Sequence, residues 1–155
     1  TMNIEKRLEE LKIILPKSSA PAGAYAKAVI LDGYAHLSGQ GPHDNDGKPL
    51  TGQVPTDLSV DEAILAARNV GLYTLVALQD AIGSLDRVEQ VVRTFGMVNA
   101  APGFTEHPRV IDGFSNLFID IFGEKGRGAR SAVGMSSLPF NIPVEVEITI
   151  KILAK

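Results

Sequence analysis

The sequence predicts a single α+β domain in which one mixed β-sheet carries two long helices on one face. Three observations point there. Ile142 to Ile152 alternates without a fault, with Ile142, Val144, Val146, Ile148, Ile150 and Ile152 on one side and Glu145, Glu147, Thr149 and Lys151 on the other, the period of a half-buried strand. Ser59 to Ile82 and Val110 to Phe122 both repeat apolar residues at helical spacing. The order of elements is helix, strand pair, helix, strand, helix, strand pair, without a repeat or a dividing linker. Several strands are apolar on both sides, yet the chain offers no second covering layer. Another subunit is therefore expected on the sheet's free face.

Bulk properties narrow the class. A length of 155 residues suits one domain with a real core, here spanning 1–155. Hydrophobic content of 45% and charged content of 21% place it with globular proteins. Cysteine is absent, which removes disulfides and thiolate chemistry and suits a reducing cytoplasm. A net charge of −3 and a pI near 5.6 argue against nucleic acid as the main partner. No apolar run reaches membrane-spanning length. Thr1-Met2 reads as an addition ahead of the natural start.

In chain order, residues 3–15 place Ile4, Leu8, Leu11 and Leu15 on one helical stripe, giving an extra N-terminal helix stopped by Pro16. Tyr25 to Leu31 and Tyr34 to Ser38 form two strands around an Asp32-Gly33 turn. They end in Ser38-Gly39-Gln40-Gly41, where glycines permit a bulge or close backbone approach. Residues 42–55 read as an exposed loop, so His43, Asp44 and Asp46 are solvated rather than metal ligands. Ser59 and Glu62 form a capping box for the longest helix, and Gly83 ends it. Val88 to Val98 is apolar on both faces, as befits an interior strand, with Arg93 and Thr94 toward a subunit boundary. A loop over 100–108 precedes the helix at 110–122.

The last two strands suggest a site. Arg130, Ala132 and Gly134 share a face of a short strand, and the strand from Ile142 follows directly after Leu138-Pro139. If the two are neighbours, one arginine meets Glu145 and Glu147, with space beside the guanidinium above Ala132 and Gly134. Cross-strand ion pairing is the purely structural alternative for Arg130.

These residues resemble a known family. Arg130-Ser131, Leu138-Pro139 and Val144-Glu145-Val146-Glu147 are similar to the C-terminal signature of the RidA/YjgF proteins, and Ser38-Gly39-Gln40 to their Ser-Gly-Gln turn. The similarity runs from about Ala20 to Leu153. It implies a chorismate-mutase-like fold, a homotrimer with ligand clefts between subunits, and hydrolytic deamination of enamine/imine intermediates of the 2-aminoacrylate type. It also implies an enzyme of the 2-iminobutanoate/2-iminopropanoate deaminase kind, with no metal or organic cofactor and a small carboxylate-bearing metabolite as partner.

By position, Arg130 would hold the substrate carboxylate in a two-pronged contact, and Glu145 would position or activate water. Tyr25, Ser38, Gly39, Ala132 and either Ser115 or Asn116 would bind substrate, with Glu147 a structural partner. Ala24 stands where the family's lead-in to the tyrosine has proline, and Ala132 where many relatives carry Cys or Thr. The resemblance leaves two alternatives, a non-catalytic trimer that binds small carboxylates and an endoribonuclease or translation inhibitor.

Overall fold

A computed structural model describes residues 2–155; Thr1, and with it the appended-start reading, lies outside the described residues. The elements are α1 (Ile4–Glu10), β1 (Ala28–Leu31), β2 (Tyr34–Gln40), α2 (Val60–Ile82), β3 (Val88–Asn99), α3 (His107–Phe122), β4 (Ala129–Met135) and β5 (Val144–Ile152). The five strands form one mixed sheet in the order β1-β2-β5-β3-β4, antiparallel except for the parallel pair β3–β4. Among the described residues no helix is long and apolar enough to cross a membrane.

Helix α2 forms as its sequence dictates. Ser59 Oγ accepts the Glu62 N–H at 3.1 Å while the Glu62 carboxylate accepts the Ser59 N–H at 3.1 Å, satisfying two orphan donors. Helix α1 is shorter than its stripe. Lys12 takes φ +56°, and the Ile13 N–H bonds the Leu8 carbonyl while the Lys12 N–H bonds that of Glu9. That is a Schellman ending, so the helix stops well before Pro16. Helix α3 starts earlier than its apolar stripe, because Pro108 fits the first turn, and it takes the last two residues of the expected loop. The β1–β2 hairpin turns at Asp32 (φ +52°) and Gly33 (φ +79°) as the Asp-Gly pair requires. Strand β1 begins only at Ala28, leaving Tyr25 in a turn closed by its N–H on the Gly23 carbonyl.

Both long helices lie on one face of the sheet. Phe114, Phe118, Leu75, Leu78, Ile111 and Leu117 are fully buried between them and β5's inward residues Val144, Val146, Ile148 and Ile150. The α2–α3 contact is close because Gly71 sits opposite Leu117 and Gly113 opposite the Ile64 backbone. The segment 42–55 is better anchored than an exposed loop: Val54 is fully buried, and its N–H bonds the Asn99 carbonyl at 2.8 Å. Asn99, itself buried, gives its amide to the Ile142 carbonyl at 3.1 Å and to Asn141 Oδ1 at 3.0 Å. This ties the end of β3 to the turn before β5.

On the opposite face Val29, Leu31 and Val133 remain exposed, beside half-buried Phe95. Arg93 reaches across this face to Ser131 Oγ at 3.1 Å, while Thr94 points inward and is buried.

Candidate functional site

The expected site residues separate into two groups. The expectation that Arg130 and Glu145 meet on neighbouring strands is corrected by the topology. Strand β3 lies between β4 and β5, because β3–α3–β4 is a parallel crossover unit and β5 returns to the other edge of β3. Arg130 is moreover on the helix-covered face, level with buried Thr94, while Glu145 is on the open face, level with Met97. Neither Glu145 nor Glu147 pairs with Arg130.

The first group surrounds a cavity of about 520 Å³ on the open face. Tyr25, Ser38, Gly39, Glu145 and Glu147 all line it. A β-bulge makes the site. Between Leu37 and Gln40, β2 carries one residue more than its partner β5, so Ser38-Gly39 bends out of the ladder. Ser38 is held on the β1 side, its N–H on the Lys27 carbonyl at 2.9 Å and its hydroxyl on the Ala26 carbonyl at 2.6 Å. Gly39 is needed for space, since a Cβ there would fall 2.9 Å from Glu145 Cδ and closer still to Oε2. Tyr25 is clamped locally, its hydroxyl accepting the Ala22 N–H at 3.1 Å.

Burial is the main influence on Glu145, raising its carboxyl pKa, with nearby Glu147 adding in the same direction. Among the described residues Glu145 forms no ion pair. A carboxyl shifted upward in this way holds its proton to higher pH than an exposed one, which suits it to proton transfer.

The second group lies at the β4 edge against α3. Arg130 Nη1 donates to Asp112 Oδ1 at 2.8 Å and to Ser115 Oγ at 3.2 Å, and Nη2 donates to the Pro108 carbonyl at 3.2 Å. The pair is uneven in exposure, 22% for the arginine side chain and 52% for Asp112. Of the alternatives Ser115 and Asn116, it is Ser115 that faces Arg130, while Asn116 is exposed. Ala132 follows on the same face of β4, half-buried on the core.

Sequence reasoning missed three residues. Lys27 lines the cavity, and its i+2 spacing from Tyr25 hinted at a shared side. Asp112 is one helical turn before Ser115, which was enough to place both toward one neighbour. His43 also lines the cavity, its ring tilted against Tyr73 with centroids 4.5 Å apart, its backbone N–H on Asn69 Oδ1 at 2.8 Å and its buried Nδ1 without a partner. Desolvation lowers its pKa first of all, which favours the neutral ring, and it is not the solvated residue its turn-rich neighbours suggested. Asp44 instead caps its own turn, accepting the Asp46 and Lys48 N–H groups at 2.9 Å. Among the described residues no cluster could hold a metal ion.

Comparison with known proteins settles the family. The family described as "YjgF/chorismate mutase-like, putative endoribonuclease" matches residues 5–150. The chain belongs to it. Protein TCP17 of Trypanosoma cruzi is 41% identical over 96% of this chain and 94% of its own. Among solved structures, a putative endoribonuclease from Shewanella oneidensis superposes with a TM-score of 0.91 at 33% identity, covering 97% of this chain and 99% of its own. The Agrobacterium tumefaciens protein Atu1372, of unknown function, gives 0.86 at 38% identity over 96% and 91%. The expected chorismate-mutase-like fold is therefore the fold of this Rid/YjgF chain.

The bulge makes one local expectation testable. Gly39→Ala is expected to push the Glu145 carboxyl out of place while leaving the fold intact, because the clashing atoms end a side chain rather than belong to backbone. Thermal unfolding within about 2 °C of wild type, together with weakened ligand binding in a titration, is the expected pair of results.

Proposed function

We propose that this Rid/YjgF protein hydrolyses reactive enamine/imine intermediates of the 2-aminoacrylate type to 2-oxo acids and ammonia. It does so as a homotrimer, whose sites join the Glu145 cavity of one protomer to the Arg130 edge of a neighbour. The observation that carries this is the division of the site. One cavity has an unpaired carboxyl but not Arg130, and one edge has Arg130, Ser115 and Ala132 but no cavity acid. Each half lacks what the reaction needs, and both lie at the surface. Exposed Val29, Leu31 and Val133 on the open face support burial against other copies.

The chemistry asks little of the protein. Arg130 fixes the substrate carboxylate with two parallel donors, replacing part of its contact with Asp112. Neutral Glu145 protonates the enamine carbon to give the iminium ion, and the resulting carboxylate takes a proton from water as the oxygen attacks C2. Glu145 then returns that proton to nitrogen and takes the one on the new hydroxyl as the C–N bond breaks, which releases ammonia, leaves the 2-oxo acid and restores the neutral carboxyl, so one water enters and one ammonia departs. Such a reaction suits the cytoplasm, where amino-acid metabolism generates these intermediates.

The Asp112 ion pair favours a second reading, a trimer that binds small carboxylates without turnover, since Arg130 is already satisfied within its own chain. The name of the Shewanella relative raises RNA cleavage, but an acidic chain lacks the basic footprint that RNA demands. The test couples the protein to an enzyme that generates 2-aminoacrylate and follows keto-acid formation above the spontaneous rate. Wild type is expected to accelerate it, and Arg130→Ala to lose at least about tenfold, the worth of a charged hydrogen-bond pair. Binding without acceleration would remove the deaminase reading in favour of the second.

A further inference from the structure

The Glu145 cavity contains a cation that the deamination chemistry above does not use. Lys27 extends into it from the residue before β1, its carbonyl tied to the Ser38 N–H at the bulge and its Nζ donating to Ser19 Oγ at 2.8 Å. The loop that carries Ser19 is anchored in turn, with the Ser18 hydroxyl on Asp80 Oδ2 of α2 at 2.5 Å. Lys27 is thus held by a neutral hydroxyl and, among the described residues, forms no ion pair. Lys27 is partly buried, and shielding an ammonium even in part without a counter-charge beside it carries a cost. Desolvation indeed lowers its pKa, with only Asp80 acting in the opposite direction.

The cavity is also larger than a three-carbon enamine needs. At about 520 Å³ it has room for a longer chain. Arg130 of a neighbouring subunit takes the carboxylate next to the reacting carbon in the reading above, so Lys27 remains for an anion elsewhere on the same substrate. Of the two carboxyls that also line the cavity, burial favours the neutral form of Glu145, so Glu147 is the charge that Lys27 must outweigh to hold that anion.

We infer that Lys27 is a second carboxylate anchor, and that the preferred substrates are imines or enamines of dicarboxylic amino acids. The substrate class rests on the deaminase reading; the binding preference does not.

The test uses two stable 2-oxo acids of equal chain length, 2-oxoglutarate and 2-oxopentanoate, which differ only in a terminal carboxylate. The full-length protein is titrated with each. Wild type is expected to prefer 2-oxoglutarate by about tenfold, the range of one charge-assisted hydrogen bond. Lys27→Met keeps the apolar stem and should remove the preference, and Lys27→Arg should retain most of it. Lys27→Gln serves as a second neutral variant should the methionine protein fold poorly. A wild type that binds neither ligand or shows no preference would overturn the inference, as would a preference that survives in the neutral variants. The preference without any acceleration of keto-acid formation would leave Lys27 in its role and remove the deaminase.

Discussion

Glu145→Gln is expected to slow keto-acid formation by about a hundredfold or more while raising the thermal stability of the protein at neutral pH. The amide fills the same volume beside Gly39 but cannot pass a proton, so fold and cavity survive while the proton shuttle is lost. The stability gain follows from linkage. Burial, then Glu147, raises the Glu145 pKa in the folded state, so between its unfolded and folded pKa values the native protein binds more protons than the unfolded chain. Stability from this group is complete below the unfolded pKa and is lost as pH rises through the folded one. At pH 7 the wild type bears that loss and the glutamine variant does not. The gain should therefore shrink as the pH is lowered to about 4. Activity unchanged in Glu145→Gln would remove Glu145 from the chemistry, and a stability difference that grew toward acid would contradict its raised pKa.

Gly113→Ala carries the largest expected effect on stability. An added Cβ would lie 2.9 Å from the Ile64 carbonyl carbon and nearer still to its oxygen, with Ile64 Cγ2 at 3.1 Å. Backbone cannot swing aside as a side-chain tip can, so α3 must retreat from α2. The layer in which Phe114, Phe118 and Leu117 are packed then opens. A loss of ~3 kcal/mol or somewhat more is expected for such overpacking, read as a fall in Tm of roughly 6–12 °C for a chain of this size. Asp120→Ala, at an exposed position of the same helix, should stay within about 0.5 kcal/mol. The two variants are to be compared at one protein concentration, because the Tm of an oligomer such as the proposed trimer depends on it. Equal Tm values would mean that the helices approach each other less closely than described.

Much of this protein was legible in its residues because helices and strands advertise their own phase. The alternation from Val144 to Ile152 told correctly that Glu145 and Glu147 leave the core together, and the Ser59–Glu62 box marked the start of α2 to the residue. Arg130, Ala132 and Gly134 were rightly given one face, and Tyr25, Ser38, Gly39 and Glu145 do share a cavity. Local features of the backbone were less visible. The positive φ at Lys12 ended α1 early, and the bulge at Ser38-Gly39 was only one of two readings until the β2–β5 register showed it.

The sequence by itself determined the element types, which residues within a strand share a side, and the two-helices-on-a-sheet layering. Only the tertiary structure decided that β3 separates β4 from β5 and that Arg130 and Glu145 point to opposite faces. The physical reason is that periodicity reports a residue's direction relative to its own element, whereas strand order depends on non-local pairing. The link between Met135 and Val144 spans one intervening strand, a step of about 10 Å, as readily as none. Side-chain partnership inherits that ambiguity, which is why Asp112 rather than Glu145 holds Arg130 within the chain.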